Sequence, residues 1–370
     1  MKIKTLTTYD VYNYGASLQA YALMTYLSNL GNDVEIINYQ PDYLTRKYDY
    51  KWVNPESSMS RHVATRVIYR ILKFLQRQTT IGRKRAFDQF TRDWLRVTKC
   101  RYSSFDELKA NPPEADLYIA GSDQIWNVFY EAGRDPAFYL EFVKQGRRAS
   151  YAASFSYLDI DEGNLKRISD SLHKFTAISV RERHGLELLS QMGLNGTWVL
   201  DPVFLLPVTE WECLANIEIP SDKYLLVYDF ERNSALQNFA RIYAQRKGLK
   251  IYSINDTYPL PYADRNFNCA GPREFVGLIR QCAAFVSNSF HGTAFSILFH
   301  KPVFVFNRHR HKVNSRMESL LGLFELDDCL INSQECAEKA LERKFDYDKI
   351  ENIKKRELAH SMNFLEKLLS

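Results

Sequence analysis

Ala284-Phe285-Val286-Ser287-Asn288-Ser289-Phe290-His291-Gly292-Thr293-Ala294-Phe295-Ser296-Ile297-Leu298 reads as strand, short turn and helix. The short apolar run suits a buried strand, and Asn288 or Ser289 suits the N-cap of the helix that follows. Gly292 would let the backbone approach a ligand closely. A helix N-terminus carries unpaired N–H groups and positive potential, so this turn is a ready anion site. His291, in the first helical turn, adds a switchable proton. A capped helix whose histidine packs or bonds locally would use the same residues.

Working outward, short apolar runs alternate with helical patterns, the βαβα rhythm of parallel-sheet proteins. Strands are expected at Ile3–Thr8, Val34–Tyr39, Leu117–Ala120, Ala149–Ser154, Ala177–Val180 and Trp198–Leu200. A second series follows at Tyr224–Tyr228, Lys250–Ile254, Ala284–Ser287 and Pro302–Phe306. Phe204–Asp222, with Pro207 and Pro220, reads as the crossing between them. The expected fold is α/β, with two Rossmann-like domains facing across a cleft. Residues 1–206 are expected to form the first domain and 222–345 the second, while 346–370 form a terminal helix that could pack back on the first.

Polar residues gather just after the strands: Tyr9-Asp10, Gly121-Ser122-Asp123, Arg181-Glu182, Asp201, Asp229, Asn255, Asn288-Ser289-His291 and Asn307-Arg308. Ligands of open parallel sheets bind beyond the carboxyl ends of the strands, so these groups belong on the two walls of one cleft. At a strand end, Arg181 can bind a carboxylate or phosphate through two parallel hydrogen bonds, or pair with Glu182 or Glu187. Arg308-His309-Arg310-His311-Lys312 is a dense positive loop, read mainly as solvated, and two histidines are too few to argue for a metal. Asn314-Ser315-Arg316 follows it, with Arg316 kept as an anion-binding candidate. The first βα turn, Thr8 to Tyr21, lacks the G-x-G-x-x-G spacing of a dinucleotide site. Its Asn13 and Gln19 offer neutral donors and acceptors suited to hydroxyl-rich ligands, or to an ordinary polar turn.

The chain has 370 residues, 45% apolar and 25% charged, enough for two cores and too apolar for disorder. Its 23 Tyr, 23 Phe and 5 Trp suit sugar rings as well as cores. A net charge of +5 tolerates anionic ligands without suggesting a nucleic-acid partner. The cations do cluster: Arg61 to Arg101 holds twelve Lys or Arg against two Asp. Val63, Val67, Ile71, Phe74 and Leu75 form a helical apolar stripe there. Such a helix either packs on its own domain with a solvated basic face or lies on an anionic membrane. Six scattered cysteines form no C-x-x-C pair, and no signal-peptide or membrane-spanning stretch appears. The expected location is therefore the cytoplasm, or the inner face of its membrane.

Several segments together resemble the polysaccharide pyruvyl transferase family. They are Asn13-Tyr14-Gly15-Ala16-Ser17-Leu18-Gln19-Ala20-Tyr21-Ala22-Leu23, Gly121-Ser122-Asp123-Gln124-Ile125-Trp126-Asn127 and Tyr151-Ala152-Ala153-Ser154-Phe155. Ile178-Ser179-Val180-Arg181-Glu182, Val199-Leu200-Asp201-Pro202, Ser289-Phe290-His291-Gly292-Thr293 and Asn314-Ser315-Arg316 complete the set. They fall in the family's order over roughly residues 1–325, and Thr45–Arg85 matches least. The resemblance implies a GT-B-like fold, phosphoenolpyruvate as donor and a pyruvate ketal on a saccharide, lipid-linked or free, as product. It implies donor contacts at His291 and Arg181, and no metal or organic cofactor. The substrate-binding candidates are Asn13, Gln19, Ser122, Asp123, Ser289, Gly292, Thr293, Ser315 and Arg316. Asp10, Asp123 and Glu182 are candidate acids or bases. A nucleotide-sugar glycosyltransferase of the same fold and a non-catalytic carbohydrate-binding protein are the competing readings.

Overall fold

The apolar runs pair into parallel sheets in the computed structural model, which describes residues 1–49, 52–53, 57–157, 160–215, 217–255, 259–308 and 314–370. The first sheet contains β1 (Lys2–Leu6), β2 (Asp33–Tyr39), β3 (Val97–Tyr102), β4 (Leu117–Ala120) and β5 (Arg147–Ser150), in the order β3-β2-β1-β4-β5. A small pair, β6 (Ser179–Val180) and β7 (Thr197–Trp198), continues it through bridges from Ala149 to Ala177 and from Ala153 to Val180. The second sheet contains β8 (Tyr224–Tyr228), β9 (Lys250–Ser253), β10 (Arg265–Asn266), β11 (Ala284–Ser287), β12 (Val303–Phe306) and β13 (Leu330–Ile331), ordered β10-β9-β8-β11-β12-β13. All of these pairings are parallel.

Both sheets reverse direction of growth next to their first strand, between β1 and β4 and between β8 and β11. Connections leave opposite faces of the sheet at such a point and open a crevice at the strand ends. Three strands escape the sequence reading. β3 carries Lys99, Cys100 and Arg101 exposed, so its charge hides its period, and β10 and β13 are too short to show one.

The segment expected as a plain crossing instead holds the helix Val208–Leu214, which carries a fully buried tryptophan. Trp211 packs 5.7 Å from Tyr21 of the first domain and 4.8 Å from Phe295 of the second, and its indole donates to the Val203 carbonyl at 3.0 Å. One continuous apolar core accordingly includes Ile3, Leu18 and Tyr21 together with Tyr224, Phe275 and Phe295. The terminal helix Tyr347–Leu369 reaches the first domain, where Ser361 Oγ accepts from the Leu200 N–H at 2.9 Å. Among the described residues no helix is long and apolar enough to cross a membrane.

The basic amphipathic helix forms at Val63–Gln78 but is turned opposite to the expected packing. Thr65, Tyr69, Lys73 and Arg77 face the protein, while Val63, Val67, Ile71 and Leu75 face outward. The polar face wins because Lys73 Nζ finds three carbonyls, of Arg46, Asp49 and Trp52, at 3.2, 2.5 and 3.1 Å. A buried ammonium satisfied in this way can stay charged.

Replacing Trp211 by alanine should cost about 3–5 kcal/mol in urea unfolding, because the ring fills the seam between two domains. A loss under about 1 kcal/mol would show that the ring does not join them.

Candidate functional site

Arg181 and Asp201 follow the paired strands β6 and β7, which bring them side by side. Arg181 Nη1 donates to Asp201 Oδ2 at 2.8 Å, and both side chains are almost wholly buried. Ser122, just after β4, donates its hydroxyl to the same oxygen at 2.9 Å and accepts from Arg181 at 3.3 Å. Asp201 Oδ1 is occupied by the Val203 N–H at 3.1 Å, part of the turn imposed by Pro202. Burial alone would raise the Asp201 carboxyl, but His291 and Arg181 outweigh it and hold the group well below the ordinary carboxylate range.

His291 comes from the other domain. Its Nε2 lies 3.4 Å from Asp201 Oδ2 and 3.5 Å from Arg181 Nη1. The imidazole also presses on the N-terminus of the helix Tyr14–Asn29: a Cβ on Gly15 would stand 1.9 Å from His291 Nδ1. Only glycine leaves room there. The two helix N-termini, at Tyr14 and Phe290, thus converge on one point, and both project positive potential into it.

A second guanidinium completes the cluster. Arg316 and Arg181 lie 5.7 and 4.4 Å from the centre of the Phe290 ring. Arg316 is buried, and among the described residues it forms no ion pair. Burial, then repulsion from Arg181, pushes its guanidinium down to about 10. Among the described residues, Arg316 Nε and Arg181 Nε and Nη2 are buried donors with no hydrogen-bond partner. Asp123, 3.7 Å from Arg181 Nη2, compensates only part of this charge. Buried donors in this state are costly unless an anion satisfies them.

The other expected residues divide. Asp123 lies at the cleft with a left-handed φ of 78°, its carboxylate accepting from Thr8 at 3.1 Å. Ser289 caps its helix, accepting from Gly292 N–H at 3.3 Å, and Thr293 donates back to the Ser289 carbonyl at 3.0 Å. Ser315 donates across the cleft to the Ser156 carbonyl at 3.3 Å. Asn13 is exposed and caps the first helix, accepting from Gly15 N–H at 3.0 Å. Gln19 is drawn into the core instead: it is fully buried, donating to Thr7 Oγ1 at 2.8 Å and the Ala16 carbonyl at 2.9 Å. At Gly292 packing itself excludes a side chain, since a Cβ there would meet the Phe285 ring at 2.6 Å.

Of the candidate acids and bases, Glu182 is fully buried and accepts from the Phe155 and Ser156 N–H groups at 2.8 and 3.1 Å. Burial, reinforced by Asp88, raises the Asp10 carboxyl above its ordinary range. In the positive loop, His309, Arg310, His311 and Lys312 lie outside the described residues. Beside Asp123 a recess of about 300 Å³ is lined by Thr8, Val11, Tyr43, Gln124 and Tyr130. A larger cavity, about 820 Å³, opens on the second domain around Asn238, Phe306 and Arg308, and neither arginine of the cluster nor His291 lines it.

Asp201 is the residue the sequence reading passed over as a site group. Its signal was its place at a strand end before Pro202, shared with many acids that only cap turns. Asp201→Asn should destabilise the protein by about 3–5 kcal/mol at neutral pH by leaving a buried guanidinium uncompensated. The carboxyl's folded pKa is depressed, so its contribution is complete above about pH 4 and is lost as pH falls further. The stability gap between the native protein and Asp201→Asn should therefore narrow in urea titrations below about pH 4. A gap unchanged down to about pH 2 would contradict the pairing.

Among solved structures the chain is similar to a protein designated a UDP-N-acetylglucosamine 2-epimerase from Listeria monocytogenes, with a TM-score of 0.52 at 11% identity, covering 94% of this chain and 90% of that one. The UDP-GlcNAc 2-epimerase from Methanocaldococcus jannaschii gives a TM-score of 0.49 at 11% identity, covering 94% of each chain. The first likeness shows the fold alone: α/β, with two Rossmann-like domains in the GT-B arrangement. No curated protein matches the chain in sequence. The family model for polysaccharide pyruvyl transferase matches residues 13–310, a span that contains Ser122, Arg181, Asp201 and His291, and the chain belongs to that family.

Proposed function

We propose that the protein transfers the pyruvyl group of phosphoenolpyruvate to two hydroxyls of a saccharide, forming a cyclic ketal and releasing phosphate. One observation carries the reading. Two buried guanidinium groups, Arg181 and Arg316, keep donors that have no hydrogen-bond partner among the described residues, beside a helix N-terminus that bears His291. Phosphoenolpyruvate has two anionic groups, a carboxylate and a phosphate, and this cluster suits both. Membership of the family supports a saccharide acceptor, for which the recess beside Asp123 has room.

The chemistry balances as follows. A proton adds to C3 of the enol, turning the methylene into a methyl and leaving C2 as an oxocarbenium-like centre. One sugar hydroxyl adds to C2 and gives up its proton. The C2–O bond to phosphate then breaks, phosphate leaves with the electron pair, and the second hydroxyl adds with loss of its proton. Two hydroxyl protons are released and one is consumed at C3, so the other leaves with the phosphate. Arg181 and Arg316 bind the donor's negative groups, and His291 takes up a proton as the donor binds and acts as phosphate clamp or general acid. Burial of the cluster keeps water from trapping the cation.

Phosphate release from phosphoenolpyruvate, followed across a panel of saccharide acceptors, tests the reading. Release with no acceptor on the panel, or stabilisation by UDP and not by phosphoenolpyruvate, would sink it. Arg316→Gln should raise the KM for phosphoenolpyruvate about 10- to 150-fold, the loss of one charge-assisted bond. His291→Ala should abolish turnover while keeping the fold, and full activity would remove His291 from the site. Donor binding by calorimetry, repeated in buffers of different ionisation heat, should report proton uptake. Identical heats in all buffers would overturn the proposed role of His291 as proton acceptor.

A further inference from the structure

The helix Val63–Gln78 presents a solvent-facing apolar flank that the core does not use. Val63, Val67, Ile68, Ile71, Leu72 and Leu75 are each between 49% and 77% exposed. Their spacing places them along one side of the helix, two to a turn. The opposite side is committed to the protein. Lys73 there is nearly buried on three carbonyls and over the Trp52 ring, and Arg77 lies over Tyr48 at 5.5 Å. The helix is therefore held by its polar face, and rotation to hide the apolar one would strand a buried ammonium. An apolar flank held outward in this way is left for a partner outside the core.

Charge and size identify the occupant. The helix contains no acidic residue, Arg66 and Arg70 are exposed along its first half, and Arg61 is exposed just before its N-cap. A second copy of the chain would set these cations against their own equivalents. It would also have little to hold: a helix of 16 residues is about 24 Å long and about 10 Å wide. One such flank offers on the order of 250 Å², against about 800 Å² per partner in a stable interface. A bilayer has no such threshold, because each apolar side chain gains by entering the acyl boundary separately. We propose that this flank docks in the plane of an anionic lipid surface, with its apolar residues in the acyl boundary and its arginines among the headgroups. The proposal does not depend on the pyruvyl-transfer reading.

Co-sedimentation of the full chain with vesicles tests it. Binding is expected to vesicles containing roughly 30% phosphatidylglycerol in phosphatidylcholine, to be weak on phosphatidylcholine alone, and to fall as salt rises. The triple variant Val67→Ser, Ile71→Ser, Leu75→Ser alters only exposed positions, so its circular dichroism and melting temperature should match the native protein. Its partition to anionic vesicles should drop about tenfold or more. Arg66→Gln should weaken binding to anionic vesicles and leave the neutral ones unaffected. No binding to anionic vesicles, or undiminished binding by the triple variant, would overturn the proposal. So would light scattering that shows a native dimer which the triple variant dissociates, since the flank would then cover a second copy.

Discussion

The buried pair of Arg181 and Asp201 organises the site. A guanidinium with no carboxylate beside it would be very costly at that depth, and Asp201 removes most of the cost with one oxygen. That same oxygen receives Ser122 and stands 3.4 Å from His291, so one atom gathers groups from three segments and both domains. The pairing engages Nη1 only. Nε and Nη2 have no hydrogen-bond partner among the described residues, although Nη2 stands 3.7 Å from Asp123, so the charge is paired while much of the hydrogen-bonding capacity is not. An ion pair of this kind adds little to net stability compared with an apolar replacement. Its consequence is positional: it aims a rigid cationic fork into the cleft.

The cleft depends equally on the seam between the domains. Trp211 and Tyr14 bury their rings against residues of both, with Tyr14 stacked 4.4 Å from Phe275 and donating to the Ala270 carbonyl at 2.9 Å. Arg83, from the helix that follows the basic one, donates to the carbonyls of Tyr12 and Ala270 at 3.0 and 3.2 Å. These contacts set the distance at which Gly15 meets His291. A shift at the seam would separate the two helix N-termini or drive them together, and the electrostatic focus falls off within about one helical turn.

The basic helix shows how polar satisfaction can override an apolar pattern. Its stripe obeys the helical period, and periodicity correctly implies a helix. Which face turns inward is a separate question, settled by where Lys73 finds three carbonyls and an indole ring. None of these partners lies on the helix itself, so no local signal announces them. Gly292 and Gln19 teach the same lesson at shorter range. Each has a residue type fit for ligand contact, yet Phe285 fills the space against one and Thr7 binds the other.

What the sequence determined by itself was the alternation of strands and helices, the two series of strands, and the strand, capped turn and helix around Ser289–Gly292. These follow from local preferences: apolar runs bounded by turns, and an N-cap at a strand end. It also placed Arg181 and His291 among the candidates, because each comes just after a strand, and Arg316, because it follows a dense positive loop. The tertiary structure decided which of them meet. Asp201 joins Arg181 only because β6 and β7 pair, and His291 reaches them only because a shared core brings the second domain against Gly15. Electrostatic coupling over a few ångströms depends on distances between segments far apart in the chain, and local sequence carries no record of those distances.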